Sequence, residues 1–110
     1  MTGQFLGASA VLFVAVLLGC SAGGARDGRA LSVQGQRLFT EQGCYGCHMI
    51  EKYGTPIATD LSHVGSKYDL AYLTKWLLDP SVQKPTAHMP KMALTETEVR
   101  ALASYLAGLR

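Results

Sequence analysis

The motif Cys44-Tyr45-Gly46-Cys47-His48 constrains this chain more than any other part of its sequence. Two cysteines at this spacing, followed at once by a histidine, form the attachment signature of c-type heme. On one helical turn the two thiols reach both vinyl groups of the porphyrin as thioethers, and the imidazole faces the iron. Covalent attachment keeps the cofactor in a domain too small to retain it by burial alone, and heme burial becomes part of the folding free energy. We therefore predict one covalently bound heme c, held by Cys44, Cys47 and His48.

Three other roles for the two cysteines agree less well with the sequence. A thioredoxin-like redox pair needs a βαβ pattern, and the sequence shows none. A zinc site would have to recruit His63 and His88, which 24 residues separate, whereas zinc fingers space their histidines by about 3–5 residues. A disulfide between Cys44 and Cys47 would give His48 no role. Export of the domain also favours heme, because c-type heme is attached outside the cytoplasm.

The N-terminal segment is predicted to direct that export. No charged residue precedes Arg26, and 14 of the first 20 residues are apolar. The apolar stretch 5–18 has the length of a signal-peptide core and is short for a membrane span. The rest of the chain is therefore expected on the extracytoplasmic, periplasmic side of a membrane.

Residues 17–20 (LLGC) favour one of three forms of that export. They resemble a bacterial lipobox, which implies that residues 1–19 are removed as a signal peptide and that Cys20 is lipidated. An uncleaved anchor helix over residues 1–25 and a secretory leader cleaved near Ala22 or Ala25 are the alternatives. With the lipobox, the three cysteines are accounted for by two thioethers to heme and one to lipid.

The length of 110 residues leaves room for one small domain, which we place at residues 32–110. Residues 21–30 (SAGGARDGRA) are small, glycine-rich and without apolar periodicity, so the segment from Cys20 to residue 31 is predicted to be a lipidated, flexible tether. Beyond the leader, apolar residues are few for a protein core, which agrees with a porphyrin at its centre. The formal charge of +2 is too small for a dedicated nucleic-acid binder.

A second axial ligand to the iron is expected well downstream of the motif. The candidates are Met49, His63, His88, Met89 and Met92. Met49 adjoins the proximal histidine and cannot reach the opposite face of the heme. Met89 lies in the irregular stretch 84–90, where two prolines stiffen the backbone and can hold a thioether at a fixed reach.

The order of these motifs resembles that of the small monoheme class I cytochromes c. The resemblance covers residues 34–109 and rests on Gly35-x-x-Leu38-Phe39, CYGCH, Asp60-Leu61, Trp76-Leu77, Met89-Pro90 and a last helix ending in Ala103-Ser104-Tyr105-Leu106. It implies an all-α fold in which three main helices and their loops wrap one heme. In that family the methionine before the proline is the distal ligand. The resemblance therefore implies His48/Met89 ligation, with no open iron site, and Met92 as packing.

The chain departs from the family at residues 58 and 59. Relatives commonly carry Gly-Pro before the Asp-Leu pair, and the proline carbonyl accepts the proximal histidine's Nδ1–H. Here the positions hold Ala58 and Thr59. The carbonyl is expected from Thr59 or from Pro56, and this bond matters because it sets the basicity of the ligand.

Helices are predicted over three segments and strands over none. Residues 33–42 follow a candidate N-cap, Ser32, and stop at Gly43. Residues 69–78 follow a Ser66-x-x-Asp69 box and stop before Pro80, and residues 95–107 begin at a Thr95-x-x-Glu98 capping box. Residues 50–66 are predicted to form a loop.

The resemblance also implies how the first and last helices pack. Gly35 and Phe39 are expected against Leu102 and Tyr105, where the two helices cross beside the heme. Trp76 is expected either to hydrogen-bond a heme propionate or to fill the core.

The predicted function is single-electron transfer between redox protein partners in an extracytoplasmic respiratory chain. No set of residues for enzymatic catalysis or for a small-molecule substrate stands out in the sequence. Lysines in the heme-wrapping region could steer docking to acidic partners: Lys52, Lys67, Lys75, Lys84 and Lys91. The alternatives are a permanently bound heme subunit of an oxidase, a nitric oxide reductase or a sulfur-oxidising complex, and a heme sensor or peroxidase with an open distal site.

Overall fold

The structure is a computed structural model that describes residues 1–3, 7, 12, 19 and 22–110. The helices are α1 (Ala22–Glu41), α2 (Val64–Lys67), α3 (Leu70–Leu78), α4 (Pro80–Gln83) and α5 (Glu96–Ala107), with a 3-10 turn at Cys44–Gly46 and strands β1 (Met49–Ile50) and β2 (Tyr53–Gly54). Cys20 and most of the predicted leader lie outside the described residues. Within the described ranges, no helix is long and apolar enough to span a membrane.

Helix α1 begins much earlier than its sequence predicted. The prediction of flexible coil is wrong for residues 22–30, and so is that of Ser32 as the N-cap, because the backbone is helical from Ala22 onward; residue 21 lies outside the described residues. Once the C-terminal half of a helix is fixed by packing, each preceding residue adds a backbone hydrogen bond without a new nucleation cost. No proline interrupts residues 22–34, and the side chains of residues 23–30 are exposed, so this part of the helix extends into solvent. The predicted stop is confirmed, since Gly43 takes a left-handed φ of 76°.

Helices α3 and α5 start where polar side chains cap them. Asp69, rather than the predicted Ser66, caps α3, and its carboxylate accepts the Tyr72 backbone N–H at 2.8 Å. Thr95 caps α5 as predicted, accepting the Glu98 backbone N–H at 3.2 Å. Such caps satisfy backbone donors that lack an intrahelical partner.

The core forms where α1 crosses α5. Gly35 lies so close to α5 that a Cβ atom there would collide with the Ala101 carbonyl oxygen. The Phe39 ring, 2% exposed, meets the Tyr105 ring at 6.0 Å between centroids. Leu102 is 1% exposed on the same side of α5. The predicted crossing of the first and last helices is therefore confirmed.

Four short elements depart from the predicted loop and helix stop: β1, β2, α2 and α4. Strands β1 and β2 pair antiparallel, Met49 with Gly54 and Ile50 with Tyr53, although no strand was predicted. Two-residue strands are too short to produce an alternating pattern in the sequence. The proline that ends α3 also starts α4, because it stands at the first turn, where its missing N–H costs nothing. The rest of the architecture is the predicted all-α fold.

Candidate functional site

The Cys-x-x-Cys-His motif folds into a tight turn directly after α1. The His48 and Cys47 backbone N–H groups both bond the Cys44 carbonyl, at 3.0 and 3.2 Å. The Cys44 side chain is half-buried, and its burial raises the pKa of the thiol. Cys47 is exposed, and neither cysteine is in a disulfide. Two thiols on one short turn, both free of any other bond, are suitably placed for a covalent link to one group.

The His48 ring is oriented by a backbone carbonyl. Its Nδ1 lies 2.6 Å from the Thr59 carbonyl oxygen. A carbonyl only accepts, so Nδ1 carries the proton and Nε2 presents its lone pair to a metal. Of the two carbonyls considered from sequence, Thr59 and Pro56, the structure selects Thr59. Nearby, the Ala58 N–H bonds the Cys47 carbonyl at 2.7 Å, which holds the loop against the motif.

An apolar cavity of about 450 Å³ opens beside His48. It lies between the motif, the loop at residues 57–61, helix α3, the segment 84–89 and the inner face of α5. Its lining includes Phe39, Cys44, His48, Thr59, Leu61, Val64, Tyr68, Tyr72, Trp76, Met89, Leu102 and Leu106. This volume lies within the range of roughly 300–1,000 Å³ that ligand pockets occupy.

Met89 lies on the lining of the same cavity as His48. Its side chain is half-buried, and its Sδ accepts a hydrogen bond from the Trp76 indole N–H at 3.1 Å. Trp76 was expected to bond a propionate or to fill the core; in this structure its N–H is directed at the Met89 sulfur. Because sulfur has a second lone pair, this bond leaves one lone pair of Met89 available to a metal.

Two of the other candidates for the second ligand are exposed histidines. His63 is exposed and lines a separate polar cleft with Glu51, Asp60 and Lys67. His88 is exposed at the cavity. Met89 differs from both histidines, because its sulfur accepts a hydrogen bond from Trp76, which also lines the cavity.

Two ring residues of this site had no role in the sequence-based reasoning. Tyr68 and Tyr72 form a wall of the cavity together with Trp76. Tyr72 and Trp76, four residues apart, share one face of α3, and Tyr68 lies two residues before that helix in extended backbone. That periodicity was visible in the sequence, but nothing in it indicated that the shared face looks into the cavity.

A comparison with protein families identifies the family of the chain. The family model described as "Cytochrome c" matches residues 32–110. The chain belongs to the cytochrome c family. Its cofactor is therefore covalent heme c, and a domain of this size carries one.

Two curated relatives are subunits of a larger enzyme. "Cytochrome c oxidase subunit 2" of Alkalihalophilus pseudofirmus (strain OF4) is 29% identical over 89 residues. The protein of the same name in Bacillus subtilis (strain 168) is 32% identical over 97 residues. Each alignment covers 73% of this cytochrome but only 26% and 27% of the relative, so the chain spans about a quarter of their length. No solved structure matches the chain at a significant level.

The residues present agree with a porphyrin in the cavity. Large apolar side chains face it while open to solvent, with Ile57 73% and Tyr68 43% exposed, and a flat apolar cofactor would cover such surface. Within the described residues, no cluster of three or more His, Cys, Asp or Glu side chains could hold a metal ion by itself.

Proposed function

We propose that this cytochrome carries single electrons between redox proteins of an extracytoplasmic respiratory chain, with heme iron held by His48 and Met89. The family indicates heme-based electron transfer. The observation that supports the ligand pair is that His48 and Met89 line one apolar cavity, with Cys44 beside them. In this proposal Cys44 and Cys47 carry the two thioether links.

The two proposed ligands are held by neighbours that keep them fixed. His48 donates its Nδ1–H to the Thr59 carbonyl, which raises the basicity of Nε2. Met89 receives the Trp76 N–H on its sulfur. When bound, the heme supplies an iron that cycles between two oxidation states, and His/Met ligation raises its potential and leaves no position for a substrate. Such a site transfers electrons without binding a small molecule.

The spectrum of the ferric protein tests the ligand assignment. Methionine sulfur bound to ferric heme iron gives a charge-transfer band, which we expect in the native protein and expect to vanish in Met89→Ala. Met92→Ala is the matched control, because Met92 is also half-buried but lies three residues farther along the chain. Absence of the band from the native protein, or its survival in Met89→Ala, would refute the assignment.

A second candidate function is a permanently bound heme subunit of a terminal oxidase. The two relatives named cytochrome c oxidase subunit 2 favour it, since the match covers most of this chain. Under this proposal the cytochrome remains with its partner when purified through mild detergent. A free carrier elutes alone and transfers electrons to the oxidase with rates that depend on its concentration.

The proposal places the protein on the periplasmic side of a membrane, anchored by lipid at Cys20. It rests on the lipobox-like residues 17–20 and the apolar stretch before them. Labelling with a radioactive fatty acid should mark the wild-type protein and leave Cys20→Ala unlabelled. If the wild-type protein is not labelled, the mass of the mature chain distinguishes an uncleaved anchor from a cleaved secretory leader.

A further inference from the structure

Three aromatic rings stand in line and end at Met89: Tyr68, two residues before α3, and Tyr72 and Trp76 on α3 itself. The Tyr68 and Tyr72 rings stack with centroids 4.3 Å apart and planes 13° from parallel. Tyr72 and Trp76 continue the stack at 6.2 Å and 21°. Trp76 then donates its N–H to the Met89 sulfur at 3.1 Å. We call these three rings the α3 stack.

The hydrogen bond at the end of the stack depends on the angle of the indole ring. A thioether is a weak acceptor, so the bond alone holds the ring poorly. Rotation about the second side-chain torsion of tryptophan has a broad energy well. A ring stacked against its face restricts that rotation, and Tyr72 supplies this restriction to Trp76. Tyr68, packed on the other side of Tyr72, limits the movement of Tyr72 in turn.

We propose that Tyr72 is a positioning residue that acts through Trp76 on Met89. By holding the indole plane, Tyr72 keeps the N–H directed at Sδ, and the sulfur keeps its remaining lone pair turned into the cavity toward the iron. The α3 stack therefore sets how readily an external ligand displaces Met89. This inference rests on the proposed ligation of iron by Met89.

Tyr72 also lines the cavity, so its ring could instead act by direct packing against the heme. The two roles make different predictions in a double-mutant cycle. If Tyr72 acts through Trp76, its effect disappears once the indole N–H has been removed. If it acts by packing, its effect is the same with and without that N–H.

The experiment measures the affinity of the ferric holoprotein for imidazole, which competes with Met89. Aromatic pairs contribute a factor of about 2 to 12 to an equilibrium constant, so Tyr72→Leu should raise the imidazole affinity by about that factor. Tyr72→Phe keeps the ring and is the matched control, expected to stay near wild type. In the Trp76→Phe background, which keeps a ring but no donor, Tyr72→Leu should add little.

Equal effects of Tyr72→Leu in both backgrounds would refute the inference, as would a Leu variant that behaves like the Phe variant. If Tyr72→Leu does not yield a folded holoprotein, Tyr68→Leu makes the same test from the outer end of the stack. The Tyr68 side chain is 43% exposed. Tyr68→Leu should therefore raise the imidazole affinity by a smaller factor, and this increase should again vanish in the Trp76→Phe background. Failure of the ligand assignment itself is recognised separately, because the charge-transfer band would then survive Met89→Ala.

Discussion

Replacing Gly35 by alanine should destabilise this cytochrome although alanine is the better helix former. A Cβ atom built at Gly35 lies 2.6 Å from the Ala101 carbonyl carbon and 2.7 Å from the Tyr105 Cβ. Carbon atoms in contact prefer about 3.5–4.0 Å. Because Ala101 meets the new methyl with its backbone, the conflict cannot be relieved by a side-chain rotation. Helices α1 and α5 would have to separate by about 1 Å to restore a normal contact.

The magnitude follows from two opposing effects. Alanine is favoured over glycine in a helix interior by about 1 kcal/mol. Overpacking a well-packed core costs about 1–3 kcal/mol, and a gap of 1 Å removes a quarter to a half of each dispersion contact across it. Phe39 and Leu102 lie at this crossing and also line the cavity beside His48. We therefore expect a net loss of about 2 kcal/mol in the free energy of unfolding.

Gly28 supplies the matched control for this substitution. It lies in the same helix, and a Cβ atom there has no neighbour within 4 Å. Gly28→Ala should therefore stabilise the protein, by up to about 1 kcal/mol. Guanidinium unfolding of the holoproteins, followed by far-ultraviolet circular dichroism, measures both. If Gly35→Ala proved as stable as Gly28→Ala, the close approach of α1 to α5 would be wrong.

Substitutions at three further positions test local features. Thr95→Ala removes the cap of α5 and should lower the free energy of unfolding by about 1 kcal/mol in urea titrations; an unchanged midpoint would contradict the capping role. Glu51→Gly relieves a left-handed φ of 54° and should raise stability by about 0.5–1 kcal/mol, whereas Glu51→Ala should not. The Ser81 hydroxyl and N–H hold the pKa of Asp79 below its ordinary value. Because a lowered folded pKa stabilises above the unfolded value, Asp79→Ala should destabilise at pH 7, and its difference from wild type should shrink as pH falls below about 3.9. A pH-independent difference would exclude the carboxylate as the cause.

Much of the fold could be predicted because its signals are local. The box at Thr95 and the stop at Gly43 depend on a few adjacent residues, and both are confirmed. The start of α1 could not be predicted in the same way. Ser32 is a good N-cap residue, but a cap forms only where a helix ends, and here the helix continues back to Ala22. Strands of two residues are likewise held by their partner strand rather than by a pattern of their own.

The candidate site also combines features that depend on adjacent residues with features that depend on the tertiary structure. The heme-attachment motif is complete within five consecutive residues, so the sequence by itself determined the cofactor class and which histidine is proposed as the proximal ligand. The neighbours that orient the two proposed ligands had to come from the tertiary structure. The Thr59 carbonyl is 11 residues from His48, and the Trp76 N–H is 13 residues from Met89. Covalent chemistry depends on spacing along the chain, whereas these hydrogen bonds depend on how a loop and a helix pack around one cavity.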